Sequence, residues 1–234
     1  MQLVIHLADR SLSFFEGPER HSVRVPLIAG PYSKAFSIDP AEFTAVLGVQ
    51  FKPGAARLFF RLPANELHNM DVPLEDLYPQ DVSRLRDQLL SAEGLAAKFQ
   101  MLEQYLLGRV RGATPLHPAV EYSVGEFTRR PGIRAVAEVQ AETGISHTRF
   151  IQVFREQVGL TPKLFCRLQR FRTVLQRIEN GRPVNWAEVA ADCGYSDQPH
   201  LIHDFRAFSG MTPLEYAITQ QHSEHENART RAAG

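Results

Sequence analysis

Two short constellations carry the side chains best suited to recognition chemistry. His147, Thr148, Arg149, Gln152 and Arg155 follow Gly144-Ile145-Ser146, and Gln198, His200, His203 and Arg206 follow Gly194-Tyr195-Ser196. Each set falls on the polar half of a stretch whose other residues are apolar at helical spacing. A helix, a glycine turn and a second helix with a polar N-terminal half is the geometry that enters a DNA major groove. The other chemistry-bearing residues form no site. His200-x-x-His203 and His222-x-x-His225 have a spacing that can hold a metal on a helix, but neither has a third ligand fixed nearby. Cys166 and Cys193 make neither a disulfide framework nor a metal quartet, and their apolar neighbours mark them as inert core thiols. His6, His21 and His68 are scattered. With no Ser/His/Asp set, phosphate loop or metal cluster, the expectation is no catalytic residue, no metal and no cofactor.

The elements that must position these residues are written twice. Gly144, Ser146, Phe154, Gly159 and Thr161-Pro162 recur as Gly194, Ser196, Phe205, Gly210 and Thr212-Pro213. The first two positions recur at an offset of 50 and the rest at 51 (Phe154 to Phe205), so one residue is inserted between Ser and Phe in the second copy. Ile133, Val136 and Val139 share a face of a helix ending at Gly144, where glycine fits a left-handed C-cap. Ser146 is expected to cap the next helix, which buries Phe150, Val153 or Phe154, and Val158. In the second copy Trp186, Val189, Ala190 and Cys193 face inward, and Ser196 or Asp197 caps. Leu201, Ile202, Phe205 and Phe208 are its core candidates. Gln140 stands where the second copy has Ala190, and Thr143 where it has Cys193, which predicts looser packing or a shifted helix in the first copy.

Between the copies, Thr161-Pro162 starts a helix with one stripe through Leu164, Leu168, Phe171, Leu175 and Ile178. It forms a rod of about 25 Å, from which Arg167, Arg170, Arg172 and Arg177 project as a solvated face or a phosphate track. Thr212-Pro213-Leu214-Glu215 has capping-box spacing and predicts a last helix.

The N-terminal part reads differently. Leu3–Leu7, Ser11–Phe15, His21–Ile28 and Thr44–Phe51 are predicted strands; Pro53–Phe60 is a short helix and Val72–Pro79 a short turn-rich or helical connector. Val82, Leu85, Leu89 and Leu90 share one helical face, as do Leu95, Phe99, Leu102, Leu106 and Val110. Those stripes are expected against the strands, with a dimer seam or contact with the second domain as the alternative. A chain starting so close to a strand raises the expectation of a truncated N-terminal domain. The predicted fold class is α+β: a mixed N-terminal domain at 1–112, a linker at 113–118, an all-α domain at 119–221 of two helix-turn-helix units joined by a linker helix, and a disordered tail at 222–234.

An apolar fraction of 44%, a charged fraction of 22% and zero formal net charge describe an ordinary globular protein and leave nucleic acid to a local basic face. No apolar run reaches the roughly 18 residues of a membrane span, and the expected location is the cytoplasm.

The residues Val189 to Gln198, Phe205-Arg206 and Gly210 to Tyr216, together with the first copy and its Thr161-Pro162-Lys163, resemble the AraC/XylS family of transcriptional regulators. The likeness covers about Ala119 to Ala217. Gly48 to Ala55 and Val72 to Leu77 look like a domain that precedes such regulators without a well-defined ligand. The resemblance implies sequence-specific binding of double-stranded DNA, one recognition helix per unit, in major-groove segments about 34 Å apart. Carried over by position, the base-contacting set is Thr148, Ile151 and Gln152, then Gln198, Pro199, His200 and His203; Arg149, Arg155 and Arg206 suit phosphates. His203 stands where the family commonly has Arg, and Pro199 offers no backbone N–H. Candidate partners beyond DNA are RNA polymerase, an unidentified small-molecule effector and a second copy of the chain. The alternative is a small-molecule-binding or enzymatic N-terminal domain with an accessory helical module.

Overall fold

β1 (Gln2–His6) is the centre of the strand-rich part, because both of its faces are covered. Leu3 and Ile5 point into one core with Ile28, Leu47 and Phe60, and Val4 into another with Leu12 and Leu27, as a period of two requires. The computed structural model describes residues 1–7, 11–38, 45–110, 114–179 and 185–220. β1 pairs antiparallel with β4 (Leu27–Ala29) and β6 (Val46–Gln50), and β4 pairs with β7 (Asp71–Pro73), giving the order β6-β1-β4-β7. β2 (Leu12–Glu16), β3 (Glu19–Val23) and β5 (Ser37–Ile38) form a second sheet in the order β3-β2-β5.

Two readings of this part need correcting. His21–Ile28 is not one strand: β3 ends at Val23 and β4 begins at Leu27. The cis Val25–Pro26 bond lies between them, and Pro26 has no N–H for a ladder. Val72–Pro79 is more than a connector, since β7 closes the first sheet before α1 (Leu74–Leu77). Pro53–Phe60 does hold a short helix, in 3-10 form over Ala55–Leu58. In α2 (Pro79–Ser91), Val82, Leu85 and Leu89 are buried as expected, but Leu90 is exposed. In α3 (Gly94–Val110) Leu102 is buried, whereas Leu95 and Phe99 are 65% and 54% exposed. Arg109 ties α3 down: its Nε donates to Phe59 O at 2.8 Å and its guanidinium lies 3.9 Å from the centre of the Tyr78 ring.

The remaining helices are α4 (Pro118–Arg129), α5 (Val136–Glu142), α6 (His147–Val158), α7 (Pro162–Glu179), α8 (Trp186–Asp192), α9 (Gln198–Ser209) and α10 (residues 213–220). The chain is thus α+β, strand-rich first and helical afterwards. It divides into two compact units. One holds the described residues of Met1–Tyr32, Phe36–Tyr122 and Thr143–Thr161; the other holds Ser33–Ala35, Ser123–Glu142 and the described residues from Pro162 onward. This partition differs from the break expected at 113–118, because α6 clusters with the strand-rich part. Its partner there is the 3-10 turn Ala64–Leu67. The expected tail, with His222 and His225, lies outside the described residues.

Within the second unit, α7 buries Phe165, Gln169, Val174 and Ile178, while Leu164, Leu168, Phe171 and Leu175 are half-buried. The predicted stripe is therefore the flank of the buried face rather than its centre. Ile133, expected inside, is 70% exposed and precedes α5, where Val139 is fully buried. At α10 the capping box is complete. Thr212 N and Oγ1 donate to Glu215 Oε2 at 2.6 and 2.8 Å, and Glu215 N donates to Thr212 Oγ1 at 3.2 Å. These bonds from Thr212 hold the Glu215 carboxyl below the usual carboxylate range.

Candidate nucleic-acid interface

The inserted residue of the second copy sits in the turn. α6 follows its N-cap Ser146, whose side chain accepts from Arg149 N at 3.4 Å. α9 follows Asp197, whose Oδ1 accepts from His200 N at 2.8 Å, so of the two cap candidates Asp197 takes the role. Each helix has 12 residues and ends at a left-handed glycine, Gly159 with φ 88° and Gly210 with φ 77°. The two helices therefore correspond residue by residue at an offset of 51 (147 to 198): Thr148 with Pro199, Gln152 with His203, Arg155 with Arg206.

On α6 the buried face is Phe150, Val153, Phe154, Gln157 and Val158. Thr148, Arg149, Gln152 and Arg155 are exposed and Ile151 is half-buried. Arg149 Nη1 donates to Gln152 Oε1 at 3.2 Å, so a phosphate candidate and a base candidate meet on one helical turn. At the C-terminal end, the buried Gln157 accepts from His117 N through Oε1 at 2.9 Å. A Cβ on Gly159 would stand 2.5 Å from Pro31 Cγ and 2.8 Å from Ala64 O. Close by in the same unit, burial and then the charge of Arg155 lower the pKa of His68.

On α9 the inward stripe is Leu201, Asp204, Phe205 and Phe208, with Phe205 edge-on to Phe171 of α7 at 4.9 Å. Gln198, Pro199, His203 and Arg206 are exposed. His200 is only half-exposed: its Nδ1 lies 3.1 Å from Ser196 Oγ and its ring stands edge-on to Tyr195 at 5.2 Å. Behind the helix, α8 is capped by Asn185, whose Oδ1 accepts from Ala187 N at 3.2 Å. Gly194 (φ 76°) turns the chain where the Gly132 Cα would lie 2.7 Å from an added Cβ, a close approach that only glycine permits.

Asp204 is the residue that sequence reasoning missed. Its side chain is 2% exposed, and Arg167 donates to Oδ1 from Nε at 3.1 Å and from Nη2 at 2.8 Å. Arg170 Nη2 lies 3.5 Å from Oδ2, His200 Nε2 4.0 Å from Oδ2 and His203 Nδ1 3.8 Å from Oδ1. Oδ2 itself is buried without a hydrogen bond. The signal was present: Leu201, Asp204, Phe205 and Phe208 have the spacing of one buried face, and a carboxylate on such a face calls for a partner. Arg167 and Arg170 consequently do not project into solvent as expected. Arg177 pairs on the surface with Asp192 at 3.1 Å, and Arg172 is exposed.

Burial pushes the Cys166 thiol up to about 11 and raises that of Cys193, which keeps both protonated and unreactive near neutral pH. Among the described residues no group of three or more His, Cys, Asp or Glu could hold a metal ion, and no helix is long and apolar enough to cross a membrane.

Residues 139–218 match a helix-turn-helix domain family, and residues 1–73 match a domain of unknown function, DUF6597. The chain is similar to a probable transcriptional regulator, LumQ, of Photobacterium leiognathi, with 31% identity over 83 residues, 35% of this chain and 33% of that protein. It thus spans about a third of the length of that curated relative. It is similar to the solved DNA-binding domain of AdpA, a global transcriptional factor, in complex with a target DNA: 23% identity, TM-score 0.42, 45% of this chain and 95% of that one. A solved structure of ToxT from Vibrio cholerae O395 is similar at 9% identity and TM-score 0.48, over 93% and 88% of the two chains.

Proposed function

We propose that the protein is a sequence-specific transcriptional regulator of the AraC/XylS type, with residues 139–218, which match a helix-turn-helix domain family, as its DNA-binding part. α6 and α9 each enter one of two successive major-groove segments, about 34 Å apart along the duplex. The observation that carries this reading is the division of α9. Gln198, Pro199, His203 and Arg206 are exposed along one side, over a buried side of Leu201, Phe205 and Phe208.

Gln152 and Gln198 read adenine through paired hydrogen bonds, Thr148 and Ile151 meet thymine methyl groups, and His203 reads a base edge in place of arginine. Pro199 packs against a base, and His200, already engaged with Ser196 and Tyr195, makes the weakest contact of the set. Arg149, Arg155 and Arg206 hold phosphates and set position without specifying sequence. The chain acts in the cytoplasm and is not an enzyme. Its strand-rich part takes a small-molecule effector or pairs with a second copy, and RNA polymerase is the downstream partner.

Selection of bound sites from random duplex DNA tests the reading. Enrichment of a motif with two blocks spaced by about 10–10.5 base pairs supports it. Failure to enrich any sequence at moderate salt overturns it.

A further inference from the structure

Val153 fills the position of α6 that corresponds to Asp204 of α9, and it is 2% exposed. An apolar residue therefore suffices to pack such a helix, and a buried ion pair is seldom more stabilising than its apolar replacement. Stability alone gives no reason for the carboxylate.

Its position does give one. Asp204 takes two hydrogen bonds from Arg167 on a single oxygen, and Arg170 faces the other oxygen. Each guanidinium also lies over a ring, Arg167 at 5.1 Å from the centre of Phe208 and Arg170 at 4.9 Å from that of Tyr195. Arg167, Arg170 and Asp204 line one cleft of about 670 Å³ with Lys163, His200 and His203. The arginines thus border the same cleft as two of the base-reading candidates. An arginine free to meet DNA there would add attraction for any phosphate, whatever the sequence.

Resting on the DNA-reading function above, we propose that Asp204 is a specificity-determining residue that withholds Arg167 from DNA phosphates. The carboxylate and the Phe208 ring hold the Arg167 guanidinium against α9, while Arg170 faces the second oxygen at 3.5 Å. Binding then depends more on base contacts and less on the backbone, which raises the ratio of specific to non-specific affinity.

The test measures binding of the full chain to a selected duplex and to an unrelated duplex by fluorescence anisotropy between about 50 and 200 mM salt. Arg167→Gln leaves the salt slope on both duplexes unchanged, because the guanidinium touches no phosphate. Asp204→Asn steepens the slope on the unrelated duplex by about 0.9, one added phosphate contact, and lowers the specificity ratio. The double variant Asp204→Asn with Arg167→Gln returns the slope to that of the unaltered protein. A slope made shallower by about 0.9 in Arg167→Gln overturns the inference, since Arg167 would already hold a phosphate. So does an Asp204→Asn variant of native helix content with slope and ratio unchanged. If Asp204→Asn does not fold, the Arg167→Gln slope decides. An unaltered protein that prefers no sequence sinks the DNA-reading function itself, a failure distinct from any of these.

Discussion

α6 and α9 share a length, a capped start, a buried phenylalanine and a left-handed glycine end, yet they are held by different forces. α6 packs Phe150 against Phe154 with ring centres 5.8 Å apart, fills its centre with Val153, and ends against Pro31, Ala64 and His117 of the strand-rich part. α9 places a carboxylate where α6 has valine and is held to α7 by Arg167, Arg170 and Phe171. A sequence repeat therefore conserves the turn chemistry while leaving the anchoring free to diverge. Neutral, shape-dependent contacts tie one helix to the N-terminal region. The other rests on charge within its own unit, which ties its setting to a cleft that His200 and His203 also line.

The largest expected effect contrasts the two centres. Asp204→Ala leaves the half-buried Arg167 and Arg170 without their carboxylate and should cost about 3 kcal/mol. Val153→Ala removes only apolar contacts and should cost about 2 kcal/mol. Urea denaturation of the two variants checks the order, and equal costs would erase the distinction between the anchors.

The helix ends come next. Both glycines are left-handed, so alanine at Gly210, with nothing within 4 Å of the added Cβ, should cost about 1 kcal/mol. Gly159→Ala adds the clash with Pro31 and Ala64 and should cost about 3 kcal/mol in all. Thermal melts of the pair isolate the contact that only α6 makes.

At the helix starts the two copies should behave alike. Ser146→Ala and Asp197→Ala each lose one cap bond and should each cost about 1 kcal/mol. Amide exchange in the first turn of each helix reads this directly.

The smallest effect is one of pH. His68 has a folded-state pKa below its ordinary value of 6.5, so it stays neutral where the unfolded chain takes up a proton. Its contribution is present above that ordinary value and is lost as pH falls below it, through the lowered one. His68→Gln should flatten the acid-side decline of the unit that holds α6, measured by denaturation between neutral pH and pH 5.

Much of this pair was legible because its signals are local. Gly144 and its repeat Gly194 mark left-handed turns, and Ser146 and Thr212-Glu215 mark caps, each through bonds spanning a few residues. The polar faces of α6 and α9 followed from helical periodicity. What failed was non-local. Periodicity grouped Leu95 and Phe99 with Leu102 but could not say which side of the stripe another element would cover. β7 is a strand only because β4 lies beside it. The anchoring of α9 depended on two arginines more than thirty residues away on α7, and a list of apolar core candidates passed over the carboxylate among them.

The most direct test of two unequal reading helices is site selection from random duplex DNA with Gln152→Ala and Gln198→Ala beside the unaltered protein. Each variant should lose base preference in one block only, a different block for each, with the other block intact. Loss of both blocks together in either variant, or of neither block in both, would contradict one helix reading one segment.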